Sequence, residues 1–319
     1  MTALLDIRDL DLCLNARPSV RLLRRVSLAV QPGQIVGLVG ESGAGKTMVG
    51  RVVLGIAPAN ARVTGTVVFD GRDITHLSES DRRHLLGREI AFIPQNPMTA
   101  LNPVERIGPQ MTDVLRMHLG MTRNAAHGRA LAMLREVRLR EPEKVLRQYP
   151  HELSGGMRQR VLLAVAFACK PKLVIADEPT TALDVTIQKQ ILRLIKELQR
   201  ISGTAILFIT HDLGVVAEMA DRVIVMYAGQ IVEEAPVRAL FARPEHPYTV
   251  GLLGSIPRLD LDRARLASIE GQVPSPLRRV AESSACASSA NRCVSAAGIA
   301  CSNPPGRSNR GVAANSARV

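Results

Sequence analysis

The sequence predicts an α/β fold with a phosphate-binding loop at its centre, and three observations carry that expectation. The stretch Gly40-Glu41-Ser42-Gly43-Ala44-Gly45-Lys46-Thr47 fits the spacing G-x-x-x-x-G-K-[ST], and it lies between an apolar run, Ile35–Val39, and a helical segment, 48–54. Two later hydrophobic runs, 173–176 and 205–209, each end in polar residues, as strands of a doubly wound sheet do where ligands gather. Between them and the loop, Met111, Val114, Leu115, Leu131, Leu134 and Val137 recur at helical spacing, which predicts a helical insertion.

Residues 5–31 alternate apolar and polar side chains, as in Ile7-Arg8-Asp9-Leu10-Asp11-Leu12, the period of half-buried antiparallel strands. Pro32-Gly33 turns the chain into the strand that feeds the loop. Beyond the first helix, 65–72 reads as a hairpin with its turn at Asp70-Gly71. A short strand from Glu89 runs into Gln95 and is followed by Pro97 and Pro103, so Gln95 sits where a strand exits into a loop. Ser154 stands where a helix cap is expected, ahead of the apolar stretch 161–169. Residues 185–200 place Ile191, Leu194, Ile195 and Leu198 on one face of an amphipathic helix. The segment 222–233 folds back at Ala228-Gly229 as a second hairpin.

The polar groups at these junctions suit phosphate chemistry. Glycines let the backbone of 40–47 wrap an anion with its N–H groups pointing inward, and the helix start adds positive potential. Lys46 reaches the outer phosphates, and the Thr47 hydroxyl ligates Mg²⁺. Asp177 and Glu178 end a hydrophobic strand: Asp177 suits Mg²⁺, directly or through water, and Glu178 suits the water that attacks the terminal phosphate. His211 ends the next strand, beside the other strand-end groups. The segment Ser154-Gly155-Gly156 is either an ordinary capped helix start or a second phosphate site.

Composition bounds the setting. In 319 residues, 46% apolar and 22% charged, there is material for one large or two modest folded domains. No apolar run approaches the ~18 residues of a membrane-spanning helix. The N-terminus has no basic segment followed by a long apolar one, so a cytosolic protein is expected. The formal charge of +12 fits a nucleotide, a nucleic acid or an anionic membrane face, and equally a solvated basic surface. Aromatic residues make up only 3%, with no tryptophan, so stacking platforms for single-stranded nucleic acid are scarce. Cys13 and Cys169 read as core residues.

Taken in order, the phosphate loop, Gln95, Leu153-Ser154-Gly155-Gly156-Met157, Asp177-Glu178, Leu183-Asp184 and Thr210-His211 resemble the nucleotide-binding subunits of ABC transporters, over about residues 5–257. The resemblance implies an ABC nucleotide-binding domain: a RecA-like P-loop NTPase core with an antiparallel β subdomain and a helical insertion, binding ATP and Mg²⁺ and hydrolysing ATP. It implies a head-to-tail dimer, each ATP lying between the loop of one subunit and the 153–157 signature of the other. Ser154, Gly155 and Gly156 would then meet the partner's ATP, while Gln95 joins Thr47 and Asp177 at Mg²⁺, senses the terminal phosphate and couples to the membrane subunit. Glu178 and His211 would support hydrolysis, and Asp184 would link the two sites.

Finer wording is similar to the oligopeptide/dipeptide importer branch, which also includes nickel importers. It is carried by Pro94-Gln95-Asn96-Pro97-Met98-Thr99, Thr181-Ala182-Leu183-Asp184-Val185 and His246-Pro247-Tyr248-Thr249. That resemblance implies a second ATPase subunit, homologous but a different chain, two integral membrane permease subunits and an extracytoplasmic solute-binding protein. The chain would sit peripherally on the cytoplasmic face of the membrane and energise uptake of di- and oligopeptides. Nickel or another small solute is the alternative within the branch. A soluble ABC ATPase acting on nucleic acid is the alternative of another class. Against the latter, the interval of about 110 residues from loop to signature holds no long coiled coil or zinc module, so no nucleic acid partner is expected. The division expected is a cassette over 1–257, with its helical subdomain at about 96–165, and a partly disordered extension over 258–319.

Two features depart from the family. Cys286, Cys293 and Cys301 are spaced C-x6-C-x7-C, each gap one residue longer than the branch pattern that holds an iron–sulfur cluster, and no fourth cysteine follows. A reduced, unliganded tail is expected rather than a cluster. Between Met1 and Lys46 there is no aromatic residue to stack on adenine, so the segment 15–20, with Arg17, is expected to hold the base.

Overall fold

The computed structural model describes residues 2–15, 20–181 and 183–255. Arg17 and the three C-terminal cysteines, with the whole 258–319 extension, lie outside the described residues. The chain opens with two antiparallel strands, β1 (Leu5–Leu14) and β2 (Val20–Val30). Strand β3 (Ile35–Val39) then leads through the phosphate loop into helix α1 (Lys46–Leu54). Strands β4 (Ala61–Phe69) and β5 (Arg72–Asp73) make a hairpin whose turn residues, Asp70 and Gly71, both carry positive φ, 48° and 77°. Helix α2 (Glu79–Leu85) precedes β6 (Ile90–Ile93).

A helical block follows: α3 (Pro97–Ala100), α4 (Ile107–Leu119), α5 (Arg123–Glu136), α6 (Pro142–Arg147), a 3₁₀ turn at Pro150–Glu152 and α7 (Gly155–Ala168). The chain returns to the sheet with β7 (Leu173–Asp177), α8 (Val185–Ser202), β8 (Ala205–Ile209), α9 (Leu213–Met219) and β9 (Arg222–Tyr227). It continues through β10 (Gln230–Pro236), α10 (Val237–Ala242) and α11 (Pro247–Gly254). Helices α2, α9, α10 and α11 have no counterpart in the sequence reading. Each has six to eight residues, too few turns for an apolar period to show.

Two sheets result. One is antiparallel, in the order β2-β1-β4-β5; the other has six strands, β10-β9-β3-β8-β7-β6, parallel from β9 to β6 with β10 antiparallel at one edge. Every residue of β3, β7 and β8 is buried, as expected of parallel strands covered on both faces. Their side chains alternate between two cores. Val36, Leu38, Leu173, Ile175, Leu207 and Ile209 pack with α1 and the antiparallel sheet. Ile35, Val39, Val174, Ala176, Ile206 and Phe208 pack with the helical block and α8. Cys169 is buried at the end of α7, whereas Cys13 is only half-buried in β1.

Because β3, β8, β7 and β6 run the same way, their carboxyl ends open on one edge of the sheet. The segments leaving that edge are the phosphate loop after β3, Gln95 after β6, Glu178 after β7 and His211 after β8. The same geometry puts their side chains within bonding distance. Among the described residues no helix is long and apolar enough to cross a membrane.

The central strand sets the stability of this frame. Phe208 is fully buried, so Phe208→Ala should cost ~3–5 kcal/mol and shift the denaturant midpoint accordingly. An unchanged midpoint would mean that β8 is not the packed centre.

Candidate functional site

The phosphate loop is shaped by what surrounds it. Gly40 has φ +149°, and a Cβ there would stand 2.2 Å from the carbonyl oxygen of Met226 in β9, so only glycine fits. Gly45, at φ +99°, ends the loop against β2, where a Cβ would meet the Leu22 oxygen at 3.1 Å. The Ala44 N–H donates to the Glu41 oxygen at 3.1 Å, closing the loop, and the Gly229 N–H donates to the Ala44 oxygen at 3.0 Å, anchoring it to the β9–β10 turn. Helix α1 starts on Gly45 with no side-chain cap and no acid in its first turn, leaving its first amides for an anion.

Lys46 is 5% exposed, and its ammonium donates to the carbonyls of Gly40 at 2.8 Å and Glu41 at 2.9 Å. Burial lowers its pKa, and the carboxylates of Glu178, Asp177 and Glu41 partly oppose that shift. The lysine therefore lies folded back onto the loop that precedes it.

Beside it, the Thr47 hydroxyl donates to Asp177 Oδ1 at 3.0 Å, joining the start of α1 to the end of β7. Asp177 is buried, and burial raises its pKa; the Thr47 bond opposes the rise and the neighbouring Glu178 charge adds to it. Glu178 follows in a left-handed conformation, φ 46°, unusual for a residue with a side chain. Its N–H donates to the Ile209 oxygen at 2.8 Å, and its carboxylate turns to the edge.

Three side chains hold that carboxylate. The Gln95 amide donates to Oε2 at 2.9 Å, the Thr181 hydroxyl donates to the same oxygen at 3.0 Å, and His211 Nδ1 lies 3.0 Å from Oε1. Desolvation pushes the Glu178 pKa up, but the bonds from His211 and Thr181 and the His211 and Lys46 charges outweigh it, and the net shift is downward. The edge thus gathers Lys46, the Thr47–Asp177 pair and the set that Gln95, Thr181 and His211 form on Glu178, with the lysine's charge acting on both acids. Thr181 is the member that sequence reasoning missed as a site residue. A hydroxyl three residues beyond an acid at a strand end is the signal that could have found it.

Ser154, Gly155 and Gly156 meet a different set of neighbours. The exposed Ser154 caps α7, accepting from the Met157 N–H at 3.3 Å. A Cβ on Gly156 would press on the Ile187 side chain at 3.1 Å, and one on Gly155 would reach Leu183 at 3.9 Å. Asp184, also exposed, caps α8 by accepting from the Ile187 N–H at 2.9 Å. The structure therefore assembles two polar clusters on this chain: the strand edge, and the paired starts of α7 and α8.

The family model described as ABC transporter matches residues 23–181, and the one described as the oligopeptide/dipeptide transporter C-terminal region matches residues 232–301. The probable peptide ABC transporter ATP-binding protein y4tR of Sinorhizobium fredii is 52% identical over 85% of this chain and 82% of its own. The chain belongs to the ABC transporter family, among ATP-binding proteins of the oligopeptide/dipeptide importer type. This ABC ATPase is also 46% identical to the oligopeptide transport ATP-binding protein OppD of Salmonella typhimurium, over 86% of this chain and 82% of that one. Its fold matches that of an ATP-binding cassette solved as a dimer in a post-hydrolysis state bound to ADP and Pi. There the TM-score is 0.66 and the identity 26%, over 73% of this chain and 99% of that one. The sequence expectation of an ABC nucleotide-binding fold with ATP hydrolysis as its activity therefore stands.

The loop geometry makes one sharp demand. Gly40→Ala forces β9 or the loop to move, and the ABC ATPase carrying it should bind Mg·ATP at least ~10-fold more weakly, read by titration calorimetry. Undiminished affinity would show that the loop is not held against Met226.

Proposed function

We propose that this chain is the ATP-hydrolysing subunit of an importer for di- and oligopeptides, peripheral on the cytoplasmic face of a membrane and paired head to tail with a second, homologous cassette. Its partners in this reading are two membrane permease subunits and an extracytoplasmic solute-binding protein. The relatives named as peptide transport ATP-binding proteins support the peptide class. The unit of transport chemistry is residues 1–257, with the helical subdomain at about 96–165 as the part that faces its partners.

One observation carries the catalytic reading: a single carboxylate, Glu178, is held by Gln95, Thr181 and His211 on the edge that also bears Lys46, Thr47 and Asp177. Phosphates would lie on the amides of 40–47, with Lys46 turning from its own carbonyls to the outer phosphate oxygens. Glu178 would take a proton from the attacking water as the water oxygen bonds to the terminal phosphorus and ADP leaves. The bonds from His211 and Thr181 and the His211 and Lys46 charges lower the pKa of this carboxylate against the effect of its burial and keep it ionised, and the approaching phosphate charge would raise its proton affinity. His211 holds the carboxylate's orientation, and Gln95 links it to the segment that leads into the helical block.

The residues present also fit Mg²⁺. Thr47 and Asp177 supply a hydroxyl and a carboxylate 3.0 Å apart, hard oxygen donors on a buried acid whose charge a cation would compensate. Bound there with Gln95, the metal would neutralise charge on the phosphate oxygens. Among the described residues no cluster of three or more His, Cys, Asp or Glu gathers, which suits an ion held by few protein ligands and by phosphates. No iron–sulfur cluster enters this proposal.

The separation of the two clusters supports the paired arrangement. Ser154 and Asp184 are exposed and cap the starts of α7 and α8, and Val185, next to Asp184, is 68% exposed, so two helix starts and an apolar side chain are open to solvent. A partner's nucleotide would find there a second positive helix end, beyond the one that its own loop and first helix provide.

Glu178→Gln should leave Mg·ATP binding intact, cut turnover by at least ~100-fold and trap a closed dimer visible by sedimentation; turnover near normal would sink the proton-acceptor role. Ser154→Arg should abolish hydrolysis at the partner's site while this chain still binds nucleotide, and full activity there would contradict the sandwich. Affinity purification from cells should recover two polytopic membrane proteins. Salt-sensitive retention of DNA or RNA in their place would favour the nucleic-acid alternative.

A further inference from the structure

The C-terminal segment after β10 reaches back to the phosphate loop through one side chain. Tyr248, in the first turn of α11, is 1% exposed, and its hydroxyl accepts a hydrogen bond from the Glu41 N–H at 3.1 Å, across 207 positions of sequence. The helix that carries it is tied down at its start. The Glu233 carboxylate accepts from the N–H groups of Glu245 at 2.9 Å and His246 at 3.0 Å, and His246 Nδ1 accepts from the Tyr248 N–H at 3.1 Å. Pro247 presets the first helical residue. The Tyr248 ring rests on that of Tyr227, their centroids 4.5 Å apart, at the end of the strand whose turn bonds Ala44. The loop is therefore gripped at both ends by the last third of the chain: Gly229 on Ala44, Tyr248 on Glu41.

The grip at Glu41 differs from the one that Lys46 supplies. Lys46 and Tyr248 are the two side chains that bond the Gly40-Glu41 backbone among the described residues, the first to its carbonyls and the second to its amide. A nucleotide draws the lysine away to phosphate oxygens. The tyrosine's partner is the Glu41 amide, a bond separate from those that Lys46 makes to the carbonyls.

We propose that Tyr248 is a positioning residue of the nucleotide site, which holds the Glu41 amide and keeps the phosphate loop in its binding shape once Lys46 has turned to the phosphates. This rests on the reading of 40–47 as the nucleotide site. Without the hydroxyl, a half-buried amide loses its acceptor and the first turn must be ordered afresh by each nucleotide, a cost that appears in affinity. The reacting groups at the ends of β7 and β8 are untouched, so turnover at saturation is not.

The test compares the full chain with Tyr248→Phe, which removes one oxygen and keeps the ring, and with Tyr227→Phe, whose hydroxyl does not bond the loop. Tyr248→Phe should bind Mg·ATP ~5–20-fold more weakly, and in the complex purified with its partners KM should rise by that factor at nearly constant kcat. Tyr227→Phe should match the wild type. Amide hydrogen exchange gives a second readout that needs no variant: the Glu41 amide should stay protected with and without Mg·ATP. If Tyr248→Phe binds Mg·ATP as the wild type does, or kcat falls with KM unchanged, or the Glu41 amide of the loaded wild type exchanges freely, the assignment of Tyr248 is overturned. If the wild type itself does not bind Mg·ATP, or Lys46→Ala binds it equally well, the fault lies instead in the reading of the loop.

Discussion

The parallel pairing of β3, β8, β7 and β6 is the constraint on which the site depends. Four strands with a common direction bring four loops to one edge, and each loop contributes a different chemical group: amides and an ammonium, an amide side chain, two carboxylates and an imidazole. The pairing is secured by burial on both faces. Alternate residues of each strand enter two separate cores, so a slip of one residue in β7 would exchange Val174 and Ala176 with Leu173 and Ile175, and would carry Asp177 away from Thr47. Hydrophobic registry thus sets a polar distance.

The charged groups on that edge are costly to bury. Lys46 and Asp177 are both 5% exposed, and burial works against the charge of each, lowering one pKa and raising the other. Glu178 adds a left-handed backbone, worth about 1 kcal/mol or more of strain. The groups meet these costs by bonding to one another: lysine to loop carbonyls, threonine to aspartate, glutamine, threonine and histidine to glutamate. The second cluster, at the starts of α7 and α8, is held by the caps that Ser154 and Asp184 supply.

Much of this was legible in the sequence, because the informative residues are local. The loop spacing, the acids that end β7 and the histidine that ends β8 sit next to the strands that place them, and alternation marks β1 and β2. The short helices α2, α9, α10 and α11 were not legible, having too few residues for a period. Nor were the roles of Thr181 and Tyr248. Thr181 looked like part of a family signature, and only the left-handed turn at Glu178 brings its hydroxyl back to the carboxylate. Tyr248 lies far along the chain from Glu41, and a pairing of that range follows from the packing of β9 and α11 and not from any nearby pattern. The Gly40 requirement was visible as a motif position, but its cause, the Met226 carbonyl, is tertiary.

The central claim is that the strand edge bearing Lys46, Thr47, Asp177 and Glu178 is a nucleotide site. The measurement that tests it most directly is a structure of the chain with Mg²⁺ and a non-hydrolysable ATP analogue. The account predicts phosphates on the amides of 40–47, the Lys46 ammonium moved from the Gly40 and Glu41 carbonyls onto phosphate oxygens, and Thr47 and Asp177 on the metal. An analogue bound elsewhere, or Lys46 still on its own carbonyls beneath bound phosphates, would contradict it.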